Sequence, residues 1–386
     1  MNRIRFLTAG ESHGKGLVVI LDGIPAGLPI TKAEIDRDLA RRQRGFGRGG
    51  RMALEKDKVE ILAGVRKNYT LGSPIALLVW NKDWENWKEV MAVEGGGINA
   101  PVTLPRPGHA DLAGSLKFGF KDIRNVIERA SARETASRVA AGAVTRKLLL
   151  SFGIKVYSRV IQIGPVSDSA GFLPPKGYRV IENSSLRCLS PKAETEMITL
   201  INRAKEKGDT LGGIFEVAVT GLPIGLGTYT QWDLRLDGRL SQGLMSIPGI
   251  KGVEIGAGFK SSGLSGSSVQ DEIFYSNRKG FYRKTNRAGG LEGGITNGET
   301  LVLRAAMKPI STLGRPLSTV DLATRKPASA HKERSDICAV PAAGIVGEAM
   351  ATLILADAFL DKFGGDSLGE IKSNIKYQNA KSQSKI

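Results

Sequence analysis

Two of the chain's three histidines sit in glycine-bearing segments: His13 in Gly10-Glu11-Ser12-His13-Gly14, and His109 in Arg106-Pro107-Gly108-His109-Ala110-Asp111. Imidazole is the side chain best suited to moving a proton near neutral pH. The ordinary alternative for each is a surface or capping histidine. Zinc ligation is excluded by spacing, since no His-x-x-x-His or Cys-x-x-Cys pair occurs. His331, in Ser329-Ala330-His331-Lys332, has weaker surroundings and reads as structural.

Arginines cluster in three further segments. The run from Arg41 through Arg42 and Arg48 to Arg51 is rich in glycine, which lets backbone approach a ligand while guanidinium forks supply paired donors. Its plain alternative is a basic surface loop. In Arg129-Ala130-Ser131-Ala132-Arg133-Glu134 a Ser-x-x-Glu capping box places free backbone N–H groups at a helix start between two arginines, an arrangement that binds phosphate or carboxylate. The third segment runs from Lys308-Pro309-Ile310-Ser311-Thr312 to Glu333-Arg334-Ser335-Asp336. Prolines fix it as a loop, and Asp336 among basic residues reads as a base or as a salt-bridge partner.

The formal charge of +17 attracts anions. Arginine in glycine-bearing segments favours phosphate or carboxylate recognition over a lysine-rich nucleic-acid tail. Two distant cysteines, Cys188 and Cys338, give no disulfide framework. No apolar run of membrane-spanning length and no signal peptide are read, so the chain is expected in the cytoplasm without membrane or nucleic-acid partners.

These segments need a scaffold, and the chain repeats one. Gly23-Ile24-Pro25-Ala26-Gly27-Leu28 is echoed by Gly221-Leu222-Pro223-Ile224-Gly225-Leu226, and Val59-Glu60-Ile61-Leu62-Ala63-Gly64 by Val253-Glu254-Ile255-Gly256-Ala257-Gly258. Arg106-Pro107 and Glu128-Arg129 recur as Arg315-Pro316 and Glu333-Arg334. Matches in one order predict two related halves, about 1–155 and 200–364, within one domain over 1–365. Residues 366–386 read as a frayed polar tail. Capping and proline signals predict helices from Thr31, Ser131, Ser190 and Pro341. Alternation predicts strands at 4–9, 17–22, 59–65, 74–80, 155–163, 214–220 and 300–306. Residues 260–292 read as a long loop. Neither a Rossmann fingerprint nor a Walker motif is present.

Taken together, Gly10–Gly14, Arg106–Asp111, Glu128–Thr135, Gly208–Gly213, Val253–Gly256 and Glu333–Asp336 resemble the signature segments of the chorismate synthases, in order over about residues 5–360. The resemblance implies an α+β fold, a β-α-β sandwich with helices between two antiparallel sheets, assembled as a homotetramer. It implies a lyase that converts 5-enolpyruvylshikimate 3-phosphate to chorismate and phosphate by 1,4-elimination, with reduced FMN and no net redox change, in the shikimate pathway to aromatic amino acids. By the same resemblance His13 protonates the reduced flavin, His109 protonates the departing phosphate, Asp336 relays a proton, and Ser12 and Ser131 support them. FMN contacts are implied for Arg129, Ala130, Ser131, Pro248, Gly249, Gly293, Lys308, Pro309, Ile310, Ser311, Thr312 and Arg334. Arg42, Arg48, Arg51 and Arg133 are implied to meet substrate or NADP. The family often has Asn-Ala at Pro248-Gly249, Ser-Ser at Ala130-Ser131 and Pro at Ile337. No reductase domain is read, so a separate flavin-reducing system is expected, with NADPH as its outside reductant. Two other readings stand beside this one: a nucleic-acid-binding protein, and a flavin oxidoreductase that consumes NADPH with turnover.

Overall fold

The computed structural model describes residues 3–49, 55–95, 100–171, 174–278 and 280–383. Its first sheet joins β1 (Arg5–Ala9), β2 (Gly16–Asp22), β3 (Val59–Ala63) and β4 (Ile75–Trp80), antiparallel in the order β1-β2-β4-β3. In β2, Leu17, Val19 and Leu21 are buried opposite Val79, Leu77 and Ile75 of β4. The period of two thus turns one face of the sheet to the core.

The second sheet joins β5 (Lys155–Ile163), β6 (Val166–Ser167), β7 (Gly213–Thr220), β8 (Ile250–Ile255) and β9 (Leu301–Met307) in the order β8-β9-β7-β5-β6. Apart from the short β6, this order repeats the first sheet's, with β5 in the place of β1. Strand β8 is not among the strands expected from alternation. Gly252 inside it breaks the apolar pattern, and a register shift at Ile250/Gly252 marks the irregularity.

Helices fill the space between the sheets: α1 (Lys32–Gln43), α2 (Thr135–Leu150), α4 (Leu236–Met245) and α5 (Val340–Phe363), while α3 (Pro191–Lys207) packs beside β6. The central pair, α2 and α5, meets at small residues. A Cβ on Gly142 would stand 2.4 Å from the Cβ of Ala349, and one on Gly347 would stand 2.5 Å from the ring of Phe215 on β7. Thr145 and Thr352 hydrogen-bond across the same contact at 3.1 Å. Helix α5 is long and apolar enough to cross a membrane by length and composition, contrary to the sequence reading, but 94% of its apolar window is buried inside the fold. It is the core helix of a sandwich.

Local signals placed most helix ends. Thr31 and Glu34 form the full capping box, with Ile30 and Ile35 both buried. Ser190 caps α3, which stops at Gly208 in the left-handed region. The box at Ser131 forms only in half. Ser131 Oγ accepts from the N–H of Arg133, but the Glu134 carboxylate turns to Thr8 and Arg138. A 3-10 turn, Ala132–Glu134, therefore precedes α2. Residues 260–292 are more ordered than a loop, carrying a hairpin of Ile273–Ser276 and Gly280–Arg283. The expected tail holds a helix, α6 (Leu368–Gln383), whose Ile371 is buried in the core and whose start bonds to Ala26.

Candidate active site

The first turns of α2 and α5 come to the same cleft, of about 660 Å³. Helix N-termini carry partial positive charge, so two of them bias this space toward anions before any side chain is counted. Ala130, Ser131 and Ala132 line it from the turn that leads into α2, with Thr135 of α2 itself, and Ala342, Ala343 and Val346 line it from α5, with Ala339 just before it.

Two histidines face the cleft from the first half. The Nδ1 of His13 lies 2.9 Å and 3.1 Å from the two carboxylate oxygens of Glu128, which also accepts the backbone N–H of His13 at 2.7 Å. Glu128 is buried, and Arg124 holds its Oε1 at 3.3 Å. The His13 ring stacks on Trp87 with centroids 4.0 Å apart, and the Arg124 guanidinium lies 5.0 Å over the same indole. His109 repeats the arrangement. Its Nδ1 lies 2.5 Å from Asp111, itself gripped by Arg106 through Nε and Nη2. Burial pushes the Asp111 carboxyl up, but the His109 and Arg106 bonds outweigh it and hold the group far below the usual carboxylate range. A carboxylate that takes up Nδ1–H directs proton exchange to Nε2. Ser131 Oγ donates to Ser12 Oγ at 3.1 Å beside His13.

The cationic wall is uneven. Arg133 lines the cleft, but its guanidinium is occupied by Asn81, Asp57 and Glu55. Arg42 bonds Thr135 and the carbonyl of Ala132 and reaches Asp57 only at 3.5 Å. Burial lowers its pKa to about 10, with Asp57 opposing and Arg133 and Arg48 adding to the drop. It remains a cation at neutral pH and is short of counter-charge. Arg48 pairs with Asp336 at 2.7 Å, while the Gly49 N–H donates to the same carboxylate at 2.6 Å. Arg48 Nε is buried and makes no hydrogen bond. Asp336 is thus both cleft-facing and a salt-bridge partner.

From the second half come Pro248, Gly249 and the run Lys308, Pro309, Ile310, Ser311 and Thr312, all on the cleft wall. Gly249 takes φ +85, and its carbonyl accepts the N–H of Lys308. Lys308 and Ser311 both bond the Gly108 carbonyl, tying this run to the His109 turn. Burial, and then the charge of Lys251, lowers the Lys308 pKa. Arg334 lines the cleft with an exposed guanidinium, 3.8 Å from Asp83.

Two expected contacts stand apart. The Arg129 guanidinium turns away from the cleft wall to the carbonyls of Thr8 and Gly10, where it fixes the end of β1. Gly293 sits in a turn beside Tyr229, off the cleft wall. Arg51 lies outside the described residues.

A family model described as chorismate synthase matches residues 4–360. The chain is 57% identical to a chorismate synthase of Moorella thermoacetica over 96% of this chain and 97% of the relative. It is 55% identical to one of Aquifex aeolicus, over 97% and 96%. A crystal structure of a chorismate synthase superposes with a TM-score of 0.80 at 45% identity, covering 99% of this chain and 98% of that one.

The chain belongs to the chorismate synthase family. Its reaction converts 5-enolpyruvylshikimate 3-phosphate to chorismate, and the family uses a flavin. The cleft fits such a group. Ile247, Pro248, Met307 and the alanines of α5 give an apolar wall for a flat ring, and the unpartnered Arg48 Nε and under-compensated Arg42 await anionic oxygens.

The sequence motifs assign no role to several cleft residues of this chorismate synthase family member. Trp87, Arg106 and Arg124 line it, and Glu128 and Asp111 orient the two histidines. His331, read as structural, lines it too, 3.2 Å from Glu333. The spacing shared by His109-x-Asp111 and His331-x-Glu333 was the available signal.

Proposed function

We propose that this cleft carries out the 1,4-elimination of phosphate from 5-enolpyruvylshikimate 3-phosphate in the presence of reduced FMN, with no net redox change. The observation that supports it best is the pair of imidazoles, each held at Nδ1 by a buried carboxylate, facing one arginine-lined cleft. Arg42, Arg48 and Arg334 receive the phosphate and carboxylates of substrate and cofactor, offsetting repulsion between anions. Arg133 acts mainly by positioning Asp57 and Asn81. His109 gives a proton to the departing phosphate, and His13 holds a proton at Nε2 on the other side of the cleft. Ser12 and Ser131 steady the His13 turn. Asp336, anchored by Arg48 and Gly49, relays the proton released in the elimination. Ala130, Ser131, Pro248, Gly249 and Lys308 through Thr312 form the FMN wall. Bound reduced flavin supplies an electron-rich ring that assists departure of the allylic phosphate.

The proposed assembly is a homotetramer. The outer face of the first sheet exposes Leu7, Ile20, Leu62 and Trp80, an apolar surface suited to burial against another copy. Arg129 and Gly293 then meet FMN across such a boundary between copies. On this reading the enzyme works in the cytoplasm as a single domain that takes in α6 as well as 1–365, with FMN reduced by a separate system that draws on NADPH. The test is stoichiometric. Under anaerobic conditions with dithionite-reduced FMN, phosphate release is expected over many turnovers without further reductant. Consumption of one NADPH per turnover contradicts the lyase reading, and reduction of FMN by NADPH with the pure protein contradicts the separate reductase.

A further inference from the structure

All three histidines of the chain line the cleft, and each meets a carboxylate. Two of those carboxylates, Glu128 and Asp111, belong to the first half and are held by Arg124 and Arg106 at 3.3 Å and 2.8 Å. The third, Glu333, arrives from the far end of the sequence and stands between the same two arginines. Its Oε1 lies 3.6 Å from Arg124 Nη1, and its Oε2 lies 3.8 Å from Arg106 Nη1. A continuous path results: His13, Glu128, Arg124, Glu333, Arg106, Asp111, His109.

We propose that Glu333 is a positioning residue that couples the two imidazoles, by holding Arg124 and Arg106 in place against both orienting carboxylates at once. This rests on the reading of His13 and His109 as the proton-transfer pair. Both guanidiniums are nearly buried, with side-chain exposures of 14% and 6%, so their mutual repulsion is weakly screened and an intervening anion matters. Burial pushes the Glu333 carboxyl up, but the His331 bond and the charges of Arg106 and Arg124 hold it below the usual range. Among the described residues, the titratable and charged groups that face it are His331, Arg106 and Arg124. Lys332 and Arg334 flank it in sequence, and Arg334 leans to Asp83 instead. Without the Glu333 charge, Arg124 and Arg106 each lose one of their two carboxylates, and with it a constraint on how they hold Glu128 and Asp111 against the two rings.

The chain's few histidines make the test direct. The full-length protein labelled at histidine Cε1 gives three carbon resonances, assigned from single His→Asn variants, and their titration midpoints are read in wild type, Glu333→Gln and Glu333→Asp. The His13 and His109 midpoints are both expected to fall in Glu333→Gln, by roughly 0.3 to 1 pH unit, and to return part of the way in Glu333→Asp. Turnover is expected to drop about tenfold with KM moving less. If Glu333→Gln does not fold, Glu333→Asp decides alone, with smaller shifts of the same sign expected. An unmoved midpoint at either His13 or His109 overturns the coupling. Wild-type turnover in His109→Ala would overturn the proton-transfer reading instead and leave the titration result intact.

Discussion

Arg41 and Arg42 are neighbours on the last turn of α1, both buried, and they live in opposite electrostatic worlds. Arg41 turns inward to a complete set of partners: both oxygens of Glu348 at 2.8 Å and 2.9 Å, both oxygens of Glu182, and Asp38. Burial would lower its pKa, but Glu348 raises it well above the usual value. Arg42 turns outward to the cleft, shares one distant carboxylate with Arg133, and has its pKa pulled down. Residue type and burial are the same in both. What separates scaffold from binding site is whether the counter-charge is already present in the protein.

Breaking the inward cluster should have the largest effect. Glu348 also receives Arg146 and Ser158, and Arg187 lies 3.5 Å away, so Glu348→Ala removes the carboxylate that Arg41, Arg146 and Arg187 share and leaves only Asp38 and Glu182 to offset them. A loss of about 3 to 5 kcal/mol is expected in denaturant unfolding. A loss under about 1 kcal/mol would mean that the cluster is not what holds α1 to α5. Next in size is the outward arginine. Arg42→Gln should weaken stabilisation by inorganic phosphate, read as a thermal shift, by roughly 10- to 100-fold in apparent affinity, from about 1.5 to 3 kcal/mol for a charge-assisted bond. Its loss of stability should stay below that of Arg41→Gln, which in turn should leave phosphate affinity near wild type. Equal loss of affinity in both variants would erase the distinction.

The smallest effect sharpens the comparison through pH. Burial raises the Glu182 carboxyl, but the Arg41 bond and the Arg187 charge outweigh it, leaving its pKa at about 2 against 4.5 when unconstrained. A depressed carboxylate stabilises the fold above its unfolded pKa, and that contribution fades as pH falls from about 4.5 toward 2. Glu182→Gln should therefore flatten the decline in stability across that window and leave its slope above pH 5 unchanged. A parallel curve, shifted but equally steep, would place the acid sensitivity elsewhere.

Local rules made α1, α3 and α5 readable: a capping box, a Ser-Pro start and terminal glycines act over a few residues. They failed at Ser131 because the Glu134 carboxylate found Thr8 instead, across the sheet–helix boundary. The site was legible as a set of segments, since His13, His109, Arg42, Arg48 and Lys308 to Thr312 do share a cleft. Its internal wiring was not. The partner of His13 lies 115 positions away at Glu128, and Thr312, whose hydroxyl accepts from Arg106 Nη1, lies 206 positions from that arginine. No periodicity reports such pairs. Arg133 and Arg129 show the converse: a cationic motif suggests ligand contacts, but the fold binds their guanidiniums to Asp57 and to backbone carbonyls.

On the proposed mechanism everything turns on His109, which Asp111 orients to protonate the leaving phosphate. Phosphate release by wild type and by His109→Ala, measured anaerobically with reduced FMN and saturating substrate, tests it most directly. A fall of about 100-fold or more in turnover is predicted, the scale of a lost general acid. Turnover within a few-fold of wild type, with the variant folded and binding substrate, would contradict that role for His109.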